Sequence, residues 1–256
     1  SRGDDLVSAG ATRGTTPRET VEGADVVITM LSDGKTSLEV YQGDNGLLAG
    51  LKQGGIIAQM GTLGVEATES LIALIKAQRP DVVFFDAPVS GTKAPAEQAQ
   101  IVVLASGDRE AGAAVETVFA AISKATKWLG EAGRASRMKL VVNAWLIAMM
   151  EGIAETTQLA EELGFTTDDL WSVLEGGPLA APYIKGKMEM FKSGDYTPQM
   201  QLTWALKDIN LALEAGSKLE LPVMKRISET WQGAVGAGYG DQDLAVVYRY
   251  LGDKQS

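Results

Sequence analysis

The sequence predicts an α/β fold in its first half and an all-α fold in its second half. Short apolar runs alternate with helical patterns from Asp25 to about Leu129, whereas no such run follows Gly133. Ala135 to Leu163 then reads as one long helix that contains no proline. We therefore expect a doubly wound α/β domain over residues 1–132, joined by this helix to a helical domain over residues 133–256.

The predicted strands are short runs rich in β-branched or aromatic residues. They are Asp25–Thr29, Ile56–Met60, Val82–Asp86, Ile101–Leu104 and Thr126–Leu129. Continuous apolar runs indicate strands that are covered on both faces, as in a parallel sheet. Between two of them, Glu66–Gln78 carries apolar residues at helical spacing and is predicted to be a helix.

The second half is predicted to contain only helices. The long helix closes at Gly164, a residue type common just after a helix end. The further predicted helices are Thr167–Leu174 with Thr167 as a candidate N-cap, Tyr183–Phe191, Thr203–Leu219, Pro222–Val235 and Asp243–Leu251.

Composition excludes several classes of protein. The chain has 256 residues, 23 Lys and Arg against 33 Asp and Glu, a net charge of −10, and neither Cys nor His. Disulfide scaffolds, thiolate or His metal sites and His-dependent catalysis are thereby excluded, and no metal is expected. The acidic balance argues against nucleic acid or an anionic membrane as partner. No apolar run is long enough to span a membrane and Ser1–Asp5 lacks a signal-peptide core, so a cytoplasmic location is expected.

No glycine-rich phosphate turn follows any predicted strand. Domains of this class usually begin with strand, G-x-G-x-x-G turn and helix, whereas Gly236–Gly240 follows a predicted helix and is interpreted as a loop. The sequence opens on what looks like a helix end. We therefore expect the first β-α unit and the next strand, roughly 30 residues, to precede Ser1.

The first candidate motif is Asp86–Thr92, placed just beyond a predicted strand. Ligands of open α/β sheets bind at that end of the strands. Ser90, Gly91 and Thr92 offer two hydroxyls and accessible backbone N–H, which suits a small carboxylate. Pro88 and Gly91 are also common turn residues, so an ordinary turn is the alternative.

The second candidate is Lys139 with Asn143, four residues apart near the start of the long helix and so on one face of it. A partly desolvated Lys beside an Asn can protonate or polarise a carbonyl group. The alternative is a solvated Lys, since Arg134 and Arg137 stand nearby. A third pair, Lys207-Asp208, is by itself typical of a protein surface.

Taken in order, these motifs resemble the β-hydroxyacid dehydrogenase family, which includes 3-hydroxyisobutyrate dehydrogenase. The resemblance covers essentially the whole chain. Its motifs are Ala24–Leu31, Asp86–Gly91, Lys139 with Asn143, Lys207-Asp208, and Gly240–Asp243. The stretches Ser90–Glu97 and Arg137–Asn143 look most like the glyoxylate/succinic semialdehyde reductase branch.

The resemblance implies a Rossmann-like domain and an oxidoreductase that transfers hydride between NADP, or NAD, and a small aldehyde acid or hydroxy acid. It also implies a homodimer or homotetramer. The implied roles are Lys139 and Asn143 as catalytic residues, Ser90, Gly91, Thr92 and Asn143 for the substrate, and Met30, Leu31, Thr62, Lys207 and Asp208 for the cofactor.

Two alternatives stay open. An imine reductase-like enzyme is disfavoured by Lys139, because such enzymes tend to lack Lys at that position. A non-catalytic cofactor-binding or oligomerisation module is disfavoured by the presence of Ser90, Lys139, Asn143 and Asp208 together.

Overall fold

Three parallel strands form the first sheet of the computed structural model, which describes residues 3–253. The order is β1 (Val26–Thr29), β2 (Ile56–Gln59) and β3 (Val83–Asp86). Alternate residues of β2 enter two different apolar clusters, since Ile57 packs in one and Ile56 with Ala58 in the other. The sheet is therefore covered on both faces, as the continuous apolar runs predicted.

A second sheet continues the fold after β3. It consists of β4 (Val89–Ser90), β5 (Ile101–Ala105) and β6 (Ser123–Trp128), with β4 antiparallel and β6 parallel to β5. The two-residue strand β4 was not predicted. Backbone bonds between Asp86 and Ser106 in both directions link the end of β3 to the residue after β5.

The helices before residue 130 precede or follow these strands along the sequence. They are α1 (Asp4–Ser8), α2 (Pro17–Val21), α3 (Gly34–Tyr41), α4 (Leu47–Gly50), α5 (Val65–Gln78), α6 (Lys93–Glu97) and α7 (Ala114–Ile122). Leu71 and Ile75 of α5 are buried with Val27 and Ile57 in one cluster. Phe119 of α7 belongs to the other cluster.

The second half is helical, as predicted. Its elements are α8 (Arg134–Glu162), α9 (Thr167–Leu174), α10 (Pro182–Ser193), α11 (Leu202–Ala215), α12 (Pro222–Ala234), a π-helical turn (Val235–Tyr239), a 3-10 turn (Leu244–Val246) and α13 (Val247–Asp253). Trp231, Leu202 and Ile209 are fully buried in the core of this half. The chain divides into two compact units, one of Ser1–Gly91 and Gln98–Lys139, the other of Thr92–Glu97 and Leu140–Ser256.

Three details of the helical half differ from the prediction. The N-cap of α9 is Thr166 rather than Thr167, because Thr166 forms a capping box with Asp169. Helix α11 ends at Ala215 instead of continuing to Leu219. Most of the stretch interpreted as a loop, Gly236–Gly240, instead belongs to the π-helical turn Val235–Tyr239, which follows α12 directly and is kinked at Gly238, while Gly240 lies in a turn.

Over residues 3–253, no helix combines the length and the apolar character that crossing a membrane requires.

Candidate active site

The carboxylate of Asp86 lies at the carboxyl end of β3 and caps the start of α8. Its Oδ2 accepts from Ser136 N–H at 2.8 Å and from the Ser106 hydroxyl at 3.2 Å, and its Oδ1 accepts from the Ser136 hydroxyl at 2.6 Å. Ala135 N–H in turn donates to Ser106 Oγ at 3.0 Å. A carboxylate at this position satisfies N–H groups of the first helical turn that have no partner within the helix.

Burial raises the pKa of Asp86, while the bonds from Ser136 and Ser106 act in the opposite direction. The cap fixes where α8 begins, and Lys139 follows Ser136 by one turn. Lys139 is half-buried. The sequence singled out the motif that begins with Asp86 but did not reveal this bond, because Ser136 is 50 residues away. A serine at the second residue of a predicted helix was the available signal.

Ser90 and Gly91 follow Asp86 closely along the chain. Ser90 ends the short strand β4 opposite Val102, and Gly91 is exposed. Gly91 has φ 139°, and a Cβ there would stand 2.8 Å from Ile101 Cγ2. The position therefore needs glycine. Ser90 and Gly91 belong to the first unit, whereas Thr92 belongs to the second, where Ala94 N–H donates to Gln199 Oε1 at 3.1 Å.

The predicted cofactor residues of the first unit lie at the carboxyl ends of β1 and β2. Met30 is 58% exposed and Leu31 and Thr62 are half-buried. The buried side chain of Gln59 forms two hydrogen bonds with the backbone of Gly61. Its Oε1 accepts from Gly61 N–H at 2.6 Å, and its Nε2 donates to the Gly61 carbonyl oxygen at 2.9 Å. This pair fixes the turn that carries Thr62. Gln59 was not predicted to have a role, since it reads as an interior strand residue.

The second unit brings together three of its predicted site residues. The buried amide of Asn143 donates to Asp208 Oδ2 at 2.6 Å, across 65 residues of sequence. The ammonium of Lys207 is 3.2 Å from Asp208 Oδ1 and lies 5.9 Å from the centre of the Trp204 ring. Lys207-Asp208 is therefore not an exposed surface ion pair, because Asp208 is buried and accepts a hydrogen bond that fixes the orientation of the Asn143 side-chain amide.

An open cavity of about 380 Å³ runs along α11 beside this cluster. Its lining is mixed in polarity and consists of Thr203, Leu206, Lys207, Asn210, Leu211 and Glu214. Among residues 3–253 no group of three or more acidic side chains is placed to hold a metal ion.

Both halves of the chain match family models. Residues 1–130 match the NAD binding domain of 6-phosphogluconate dehydrogenase. Residues 133–251 match the NAD-binding domain of NADP-dependent 3-hydroxyisobutyrate dehydrogenase.

Curated relatives match over nearly the whole chain. Glyoxylate/succinic semialdehyde reductase 1 of Arabidopsis thaliana is 31% identical over 96% of this chain and 86% of its own length. The human cytokine-like nuclear factor N-PAC is 30% identical over 96% of this chain, which spans only 44% of that protein.

Among solved structures, 3-hydroxyisobutyrate dehydrogenase (ygbJ) from Salmonella typhimurium aligns with a TM-score of 0.85 at 22% identity. The alignment covers 96% of this chain and 86% of that one. At this identity the match establishes the fold, an α/β nucleotide-binding domain followed by a helical domain.

Proposed function

The chain belongs to the β-hydroxyacid dehydrogenase family, and from that premise we propose that it reduces a small aldehyde acid with NADPH. Glyoxylate and succinic semialdehyde are the proposed substrates, and Lys139 is the proposed proton donor. The support for this substrate class is the name of the Arabidopsis relative together with the motifs from Ser90 to Glu97.

The observation that carries the proposal is the bond between Asp86 and Ser136. The same carboxylate is four residues from Ser90 along the chain and is bonded to Ser136, one helical turn before Lys139. The buried Asp86 carboxylate thus anchors both the donors suited to a substrate carboxylate and the side chain suited to protonating a carbonyl group. This arrangement favours catalysis over an ordinary turn and a solvated Lys.

The residues of the first unit have complementary tasks. The Ser90 hydroxyl and the Gly91 N–H would donate to the substrate carboxylate, with Thr92 of the second unit as a further donor. The ammonium of Lys139 would donate a proton to the carbonyl oxygen while negative charge develops there. When bound, a reduced nicotinamide supplies the hydride that reaches the carbonyl carbon. Lys139 then regains its proton from solvent, and the product is the hydroxy acid.

The residues of the second unit would orient the reacting groups rather than transfer a proton themselves. Asn143 stands one turn after Lys139 on α8, and Asp208 fixes its amide group. In our proposal Asn143 then presents its amide to the substrate or to Lys139 without rotating. Lys207, held by Asp208 and the Trp204 ring, would contact the cofactor.

The carboxyl ends of β1 and β2 fit a nicotinamide cofactor. Exposed Met30 and half-buried Leu31 offer an apolar surface to a ring, and Thr62 offers a hydroxyl beside it. We propose NADP over NAD because the second family model is that of an NADP-dependent enzyme. A homodimer or homotetramer is likewise proposed from the family, and a cytoplasmic location stays a prediction.

The test is oxidation of NADPH and NADH by the full-length protein, followed at 340 nm, with a panel of small aldehyde acids. Lys139→Ala should lower kcat by about 10²- to 10⁴-fold, the usual contribution of a positioned proton donor. Its affinity for NADPH, measured by fluorescence, should barely change. Lys76→Ala, which removes an exposed Lys from α5, is the matched control and should keep full activity.

Two outcomes would redirect the assignment. Near wild-type turnover in Lys139→Ala would remove Lys139 as the proton donor. NADPH binding without turnover of any aldehyde acid would favour imine reduction or a non-catalytic role. The relative named as a nuclear factor keeps the non-catalytic alternative in view.

A further inference from the structure

Three buried polar side chains lie side by side at the carboxyl end of the first sheet. Thr29 of β1 is in register with Gln59 of β2, which is in register with Asp86 of β3. Their exposed fractions are 6%, 1% and 0%. We call these three residues the polar row. Because burial of a polar group is costly unless the group is hydrogen-bonded, each member of the row needs a partner.

The outer two members of the polar row bond to helices. The hydroxyl groups of Thr29 and of Tyr41 in α3 are 2.8 Å apart. The carboxylate of Asp86 accepts from Ser136 at the start of α8. The central member, Gln59, bonds instead to the turn that follows its own strand. The row thus fixes three different segments at the sheet edge where we place the cofactor.

The carboxamide of Gln59 satisfies two backbone groups of one residue. Gly61 N–H donates to its Oε1, and its Nε2 donates to the Gly61 carbonyl oxygen. Gly61 is itself buried, so an apolar side chain at position 59 would leave both backbone groups without a partner. A carboxamide or a neutral carboxylic acid offers a donor and an acceptor side by side, whereas a carboxylate accepts but cannot donate.

The same glycine joins the turn to the segment that follows β1. A Cβ on Gly61 would overlap the carbonyl oxygen of Leu31, so the two backbones are in close contact. One residue earlier, Met60 N–H donates to a carbonyl oxygen of β1 at 2.8 Å. Leu31 and Thr62 are proposed cofactor residues, one from each segment. Their relative placement therefore depends on the conformation that Gln59 imposes on Gly61.

We propose that Gln59 is a positioning residue for the nicotinamide dinucleotide, and that it acts by holding Gly61 so that Leu31 and Thr62 present one surface to the cofactor. Both polar atoms of its side chain are engaged by Gly61, so Gln59 acts through the turn and not as a ligand. The inference rests on the proposed function for the binding of a dinucleotide at this edge of the sheet. It does not depend on the substrate or on Lys139.

The first experiment removes both bonds with Gln59→Leu. The dissociation constants of the full-length protein for NADP⁺ and NAD⁺ are measured by calorimetry, well below the unfolding temperature of each variant. Binding should weaken by about 10-fold, because buried groups of Gly61 lose their partners and the turn rearranges. The fraction of folded protein is the same in this measurement, so a loss of stability alone would leave the affinity unchanged.

The second experiment uses Gln59→Glu between pH 5 and pH 9. The neutral acid can accept from Gly61 N–H and donate to the Gly61 carbonyl oxygen, whereas the carboxylate cannot donate. Burial raises the pKa of a carboxyl group, which brings the change of charge into this range. The ratio of the variant's dissociation constant to that of the wild type should therefore be near 1 at pH 5 and rise by about 10-fold towards pH 9.

Gln158→Glu is the matched control. It makes the same exchange in the helical unit, where Gln158 Nε2 donates to the carbonyl oxygen of Tyr248 at 3.1 Å. Its ratio to the wild type should stay near 1 at every pH. This comparison also decides the matter if Gln59→Leu does not fold.

Unchanged affinity in Gln59→Leu would overturn the inference, and so would a ratio for Gln59→Glu that does not change with pH. Either result would leave the proposed function standing, because the wild type would still bind its cofactor. A wild type that binds neither dinucleotide would overturn the inference and the proposed function together.

Discussion

A buried acid in the core of the helical unit makes its stability depend on pH near neutrality. Glu151 of α8 is 5% exposed, and its Oε2 accepts from the Trp231 indole N–H at 2.6 Å. Burial raises the pKa of Glu151 to about 7, and Glu155 contributes in the same direction, whereas the Trp231 bond and Arg226 lower it.

The sign of the effect follows from proton binding. Between the ordinary pKa of 4.5 and about 7, the folded protein holds a proton on Glu151 that the unfolded chain has released. The free energy of unfolding therefore falls as pH rises through this range and levels off above it. Each pKa unit corresponds to 1.36 kcal/mol, so the loss amounts to about 3 kcal/mol by pH 8.

Glu151→Gln isolates this contribution. The variant keeps an oxygen that can accept from Trp231 but cannot become charged, so it should match the wild type near pH 5 and exceed its stability by about 3 kcal/mol at pH 8. The measurement is urea unfolding at both pH values, followed by tryptophan fluorescence. Most tryptophans of the chain lie in the helical unit, and no His titrates in this range.

Glu162→Gln is the matched control. Glu162 is exposed, lies about three turns further along α8 and is not among the charges that shift the pKa of Glu151, so its variant should differ from the wild type by a similar small amount at both pH values. An equal difference between Glu151→Gln and the wild type at pH 5 and pH 8 would show that Glu151 does not titrate in this range. A wild type more stable than Glu151→Gln at pH 8 would contradict the predicted sign.

Two further predictions concern buried carboxylates. Asp86→Ala should lower the free energy of unfolding, measured in urea, by about 1–3 kcal/mol, because it leaves the buried Ser136 donors unpaired. It should also lower kcat, and Asp86→Asn should recover part of both losses. An unchanged kcat in Asp86→Ala would mean that the cap does not contribute to catalysis. Lys187→Met should cost about 3–5 kcal/mol in urea unfolding, because it leaves the carboxylate of Asp243, 2.6 Å from Lys187 Nζ, buried without its cation. A loss below 1 kcal/mol would mean that the backbone N–H groups on Asp243 suffice.

Patterns that are local in sequence predicted the fold well. Continuous apolar runs located the longer strands to within a few residues, because a buried parallel strand has little else in it. The same logic could not reveal β4, since two residues carry no periodicity. It also extended α11 to Leu219, although the helix ends at Ala215 and the chain turns before Pro222 begins α12.

The candidate site was predictable residue by residue but not bond by bond. Lys139 and Asn143 could be paired because four residues are one helical turn. The bond from Asn143 to Asp208 crosses 65 residues, so the local sequence indicated only a surface pair at Lys207-Asp208, and its role in the site came from the family resemblance. Only packing of α8 against α11 gives Asp208 a buried partner.

The motif that begins at Asp86 therefore has two ends with different tasks. Its acidic end points at the start of α8, where the Ser136 N–H and hydroxyl need an acceptor. Its other end leaves Ser90 and Gly91 accessible at the edge of the second sheet. Because one short segment does both, the helical turn that carries Lys139 and the proposed carboxylate donors are tied to the same strand end. A shift of that strand end would displace both together, which preserves their relative placement better than two separate anchors would.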